Sequence, residues 1–122
     1  TVVSVNGKYA TFIGDSHTSN HNSGWQVVVC KKTGLRMNNL SVSGKTTGWM
    51  LEMSKTSLHR GIDYCFVYGG ANDMFTKSIT PKRAVSNIQQ IVNLCHKYNI
   101  NCVVLTGFDP VKCTRMKFHI IK

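Results

Sequence analysis

With 122 residues, 42% hydrophobic and 16% charged, the chain is sized for one domain with its own core, and the composition excludes a disordered segment. No apolar run approaches the roughly 18 residues that cross a bilayer, and Thr1 to Lys8 lack the basic-then-apolar order of a secretory leader. Lys and Arg outnumber Asp and Glu by 15 to 5, a net charge of +10 that favours acidic partners; the cations are scattered, densest at Lys31-Lys32, Lys82-Arg83 and Lys112 to Lys122, with no interleaved aromatics and no nucleic-acid-binding motif, so a solvated basic surface is expected rather than nucleic-acid recognition.

Ala10 to Ile13 reads as a buried strand, too short for a helix and closed at once by Gly14-Asp15-Ser16. A polar loop, Asn20-His21-Asn22-Ser23, follows. Gly24 to Lys32 is ambiguous: Val27-Val28-Val29 favours a strand, while Trp25, Val28 and Val29 share a helical face, and the flanking elements select a helix ended by Gly34. Met37 to Val42 is a weaker strand whose polar content suits a sheet edge, ending in Ser43-Gly44. Thr46 to Leu58 is read as a helix with Met50, Met53 and Ser57 on one side. Tyr64 to Tyr68 is a second buried strand and runs into Gly69-Gly70-Ala71-Asn72-Asp73. Pro81 to Tyr98 is the clearest helix: Thr80 caps it, Pro81 suits the first position, and Ala84, Val85, Ile88, Ile91, Val92 and Cys95 form one apolar stripe. Cys102 to Leu105 is a third buried strand, followed by Thr106-Gly107-Phe108-Asp109-Pro110.

Strands alternating with helices imply an α/β fold, a three-layer α/β/α sandwich on a parallel sheet, over a single domain 1–122. Ligands in such sheets bind beyond the carboxyl ends of the strands, where every polar-glycine cluster above falls. The five cysteines (Cys30, Cys65, Cys95, Cys102 and Cys113) include no CxxC pair, so no zinc site is expected. They read as small buried hydrophobes, which weakly favours an intracellular setting.

Ser16 stands one tight step beyond a buried strand, where backbone N–H groups favour a developing negative charge. Alone it would be a helix-capping serine. Gly44 and Asn72 follow the next two strands, and a backbone N–H from one with the side-chain amide of the other would aim at a common oxyanion. Asp15, His17 and Asp73 flank these positions. His17 reads as a substrate-side group, Asp15 as an acceptor of backbone hydrogen bonds in the serine turn, and Asp73 as a cap for the segment after the strand.

These blocks resemble the SGNH hydrolase superfamily of GDSL-like esterases and lipases. Phe12-Ile13-Gly14-Asp15-Ser16-His17-Thr18 is similar to its nucleophile block, Val42-Ser43-Gly44 to its second and Tyr68-Gly69-Gly70-Ala71-Asn72-Asp73 to its GxND block; the resemblance runs from about Tyr9 to Phe108. It implies a flavodoxin-like sheet, Ser16 as nucleophile, and Ser16, Gly44 and Asn72 as the oxyanion hole. It implies no metal or organic cofactor, and a small ester or acylated-sugar substrate. The family's Asp-x-x-His base block is absent: the last histidine, His119, follows Met116 by three residues. A domain shortened at its C-terminus, a base supplied by another histidine (His17, His21 or His119), and a fold without hydrolase activity are the expectations this leaves open. The expected function is a serine esterase or deacylase working through an acyl-enzyme on Ser16. The alternative is an inactive SGNH-fold binding or structural module, paired with an acidic partner or built into a larger assembly such as a viral particle.

Overall fold

The computed structural model describes residues 5–20, 22–76 and 78–105 with their side chains, and the backbone of residues 106 and 117–121. In chain order the elements are β1 (Tyr9–Gly14), α1 (Trp25–Thr33), β2 (Arg36–Asn39), α2 (Thr47–Ser57), β3 (Tyr64–Tyr68), α3 (Ala71–Met74), α4 (Pro81–Lys97), β4 (Asn101–Thr106) and β5 (Lys117–Ile121). The sheet order is β2-β1-β3-β4-β5, with the first four strands parallel. The strand order reverses between β1 and β3, which makes their carboxyl ends the switch point where open α/β sheets take ligands.

Beside the parallel sheet expected from the sequence lies a fifth, antiparallel strand: β5 pairs with β4 in the register Cys102↔Ile121 to Thr106↔Lys117. Only residues 107–116 separate the two, fewer than the dozen or so a parallel crossover requires, so the chain returns the opposite way.

Two cores sandwich the sheet. On one face α2 and α4 pack over Ile13, Val67, Cys65 and Val104, with Met50, Leu51, Ile91, Val92 and Cys95 buried. On the other, α1 covers Phe12 and Phe66, whose rings stack at 4.8 Å, with the Trp25 ring edge-on to Phe12 at 5.4 Å. Cys65, Cys95 and Cys102 are buried together where β3, β4 and α4 meet, and Cys30 is half-buried. Hydrogen bonding with Cys102 and Cys95, reinforced by burial, pushes the Cys65 thiol well above its usual range, so it stays protonated as a packing group.

The helices form where the sequence placed them, with some faces turned. Thr80 Oγ1 accepts from Arg83 N at 3.1 Å, and Pro81 opens α4. Val85, expected in the stripe, is 66% exposed, because α4's buried side runs through Asn87, Ile91, Val92 and Cys95. In α2 the buried face is Thr47, Met50, Leu51 and Ser54 rather than Met53 and Ser57. In α1 Val28 faces outward while Gln26 is buried, its amide donating to Asn20 O and to Ser23 O. Polar side chains with hydrogen-bond partners have displaced apolar ones at these positions: Gln26 and Ser54 bond nearby backbone carbonyls, and Thr47 and Asn87 bond each other. The ladder strand β2 ends at Asn39 rather than Val42, yet Leu40 N still bonds Phe12 O (2.9 Å) and Val42 N bonds Gly14 O (3.2 Å), so the chain keeps following β1.

Candidate active site

At the upper end of the sheet, where the parallel strands finish, β1 runs into a turn over residues 15–18, closed by Thr18 N donating to Asp15 O at 3.1 Å. Ser16 and His17 occupy its exposed corners. The turn is held from behind. Trp25 Nε1 of α1 donates to Thr18 Oγ1 (3.1 Å), and Asn39 Nδ2 of β2 donates to Thr18 O (2.6 Å). Gly14 is required by close approach, since a Cβ there would lie 2.7 Å from Tyr68 O and 3.1 Å from Thr18 Oγ1.

Asp15 is 1% exposed, and its Oδ1 accepts from His17 N at 3.0 Å and lies 2.9 Å from His17 Nδ1. One buried carboxylate therefore fixes both the backbone and the ring of a histidine whose side chain is 38% exposed. Asp15 Oδ2 has no hydrogen-bond partner among the described residues. The His17 ring leans towards β3, 5.4 Å from the Tyr68 ring.

The second and third loops are tied to the first. Val42 N bonds Gly14 O, and two residues on Gly44 adopts φ +79°, a left-handed conformation natural to glycine, with nothing within 4 Å of where a side chain would start. Asn72, in the short α3 that leaves β3, donates its amide to Lys45 O at 2.9 Å. Gly14 itself is the register partner of Tyr68. Bonds thus run from the β1 exit to the Gly44 loop, from that loop to Asn72, and back through the β1–β3 ladder. Among the described residues, no protein acceptor takes the N–H of Ser16 or of Gly44, and nothing bonds the Ser16 hydroxyl. The Asn72 amide has a second N–H besides the one given to Lys45.

No family model matches the sequence, and no curated protein matches it. Solved structures do. AlinE4, described as an SGNH-hydrolase family esterase, superposes with a TM-score of 0.71 at 19% identity over 94% of this chain and 65% of that one. TesA gives 0.76 at 18% over 86% and 63%. Axe2, an acetylxylan esterase from Geobacillus stearothermophilus, gives 0.66 at 17% over 84% and 61%. The fold is that of the SGNH hydrolases. The chain spans less than two thirds of the length of these three structures.

In this fold Asp73 is engaged at the start of α2. It is 2% exposed, and its two oxygens accept from Thr47 N (2.8 Å) and Thr47 Oγ1 (2.5 Å), while Asn87 Nδ2 donates to the same hydroxyl at 3.1 Å. The sequence suggests Asp73 as a cap for its own segment. It instead satisfies the N-terminus of α2, whose own Thr46 makes no side-chain cap, and so locks α2, α3 and α4 together. No local signal marks this contact, since the partners lie 26 positions apart. The same holds for Lys45 O as the anchor of Asn72 and for Thr18 as the pin of the turn.

Beside the β3 exit opens an apolar groove of about 220 Å³, bordered by Tyr68, Gly70, Met74, Val85, Ile88 and Leu105. Met74, Phe75, Val85 and Val42 are the exposed large apolar side chains of this end. Among the described residues no cluster of three or more His, Cys, Asp or Glu is placed to hold a metal ion. His21, Asp109 and Cys113, and the side chain of His119, lie outside the described residues. His59 and His96 are exposed at the opposite end of the sheet, so His17 is the one described imidazole at the serine end.

Proposed function

We propose that the protein is a serine esterase or deacylase. Ser16 Oγ attacks the ester carbonyl, the alkoxide leaves with a proton, and water releases the acid from the acyl-enzyme. The N–H groups of Ser16 and Gly44 and the second N–H of Asn72 receive the oxyanion. The observation that carries this reading is the closed circuit of bonds between the three loops. It brings an exposed hydroxyl, two uncommitted backbone donors and an anchored amide to one end of the switch point.

A serine hydroxyl requires a base. The reading assigns it to a histidine outside the three blocks, and gives His17, whose ring is oriented by Asp15 through Nδ1, the substrate side. The apolar groove supports an acyl group of short to medium length. That AlinE4 and Axe2 are described as esterases adds to the case for ester substrates.

The test is hydrolysis of short p-nitrophenyl esters and labelling by a fluorophosphonate. Turnover and labelling that both vanish in Ser16→Ala support the reading. No turnover and no labelling of the unaltered chain remove it in favour of a binding module on the same fold.

A further inference from the structure

The lower end of the sheet, where the parallel strands begin, carries a second feature that the linear sequence hides. Lys8 precedes β1, Lys31 and Lys32 end α1, Arg36 opens β2, Lys55 lies in the last turn of α2, Arg60 precedes β3 and Lys97 ends α4; all seven are exposed. Bonds between the segments show that they share one surface. Gly7 N bonds Gly34 O, Arg36 N bonds Lys8 O, Tyr9 N bonds Asp63 Oδ2, Asn101 N bonds Asp63 O, and Arg60 Nη2 reaches Lys97 O at 3.4 Å. Against these seven cations the described residues set two carboxylates. Glu52 is already paired with Lys55 at 3.0 Å, and Asp63 is half-buried and engaged by Tyr9 N. The helix dipole favours cations in the last turns of α1, α2 and α4. It does not account for Lys8, Arg36 and Arg60, which stand on strand entries.

We infer that this end is a docking surface for single-stranded nucleic acid, held through its phosphates without sequence preference. Three observations select this partner. The cations spread over the entries of successive strands, which lie about 4.8 Å apart, with no free carboxylate interleaved to match a patterned acidic protein. Aromatic rings are interleaved in space although not in sequence: the Arg36 guanidinium lies 4.3 Å from the centre of the Tyr9 ring, which is 45% exposed, and Lys97 Nζ lies 5.4 Å from the Tyr98 ring. Tyr98 is half-buried, so the exposed Tyr9 is the ring open to a base, and cations beside such a ring are the elements of a groove that follows a backbone and stacks bases. Most of the exposed apolar side chains that would anchor the protein in a bilayer (Val42, Met74, Phe75 and Val85) sit at the opposite end. This surface is separate from the serine site, and the inference does not depend on esterase activity.

The test is fluorescence anisotropy of a labelled mixed-sequence single-stranded oligonucleotide titrated with the full chain. Binding is expected to weaken with salt at a log–log slope of about −3 to −4, corresponding to about five neutralised phosphates. Lys32→Gln with Arg36→Gln should weaken binding about tenfold, and Lys82→Gln with Arg83→Gln, which removes the same charge from the upper end, less than about threefold. Tyr9→Ser should lower affinity for the single strand more than for duplex. Circular dichroism of each variant checks that it is folded. Equal losses in the two charge pairs would reduce the effect to net charge and overturn the inference. So would absence of binding at low salt, or tighter binding to phosphatidylserine vesicles than to the oligonucleotide.

Discussion

The two ends of this sheet are built on opposite principles. At the upper end the carboxylates are buried and the backbone is exposed: Asp15 and Asp73 are 1% and 2% exposed and bonded inward, while glycine-rich turns leave N–H groups open. At the lower end the charges are outside and the backbone is closed, with strand entries bonded to one another and cations facing solvent. A buried carboxylate with two or three donors fixes local geometry to a fraction of an ångström, whereas exposed cations act at longer range, tolerate displacement and are screened by salt. The first arrangement suits chemistry on one atom; the second suits a flexible polyanion.

The difference should appear in the response to mutation. Ser16→Ala should abolish ester turnover, by about a thousandfold or more, and with it fluorophosphonate labelling, leaving the unfolding midpoint within a degree or so. Asn72→Ala should lower kcat by about a hundredfold or more with little change in KM, because the amide acts on the oxyanion; an unchanged kcat would leave Asn72 only its bond to Lys45. Asp73→Ala should destabilise the fold by about 2 kcal/mol in urea unfolding, since Thr47 N–H and Oγ1 lose their buried acceptor. A change of under about 0.5 kcal/mol would show that water replaces the carboxylate. At the lower end Arg36→Gln should cost only about 0.5 kcal/mol, the value of an exposed cation–ring pair, and a loss as large as that of Asp73→Ala would erase the contrast between the ends.

Much of the upper end was legible because its requirements are local. Gly14-Asp15-Ser16 and Gly69 to Asp73 each follow an apolar run too short for anything but a buried strand, and the helices announce themselves through Pro81, Thr80 and the α4 stripe. Legibility failed where a partner is remote or where polar groups compete for a face. The buried Gln26 wins its face through the backbone of Asn20 and Ser23, whereas the Asp73–Thr47–Asn87 contact depends on segments that no window of sequence contains. The return of β5 against β4 was missed because a ten-residue connection carries a topological constraint, not a compositional one.

The sequence by itself determined the alternation of strands and helices, the parallel sheet they imply and the positions where glycine and polar residues interrupt it, because hydrophobic period and backbone freedom are properties of neighbouring residues. Only the tertiary structure decided which carboxylate holds which donor, that His17 is clamped by Asp15, and that cations scattered over ninety positions meet at one end. Hydrogen bonds and electrostatic fields are set by distance in space, and distance along the chain does not encode it.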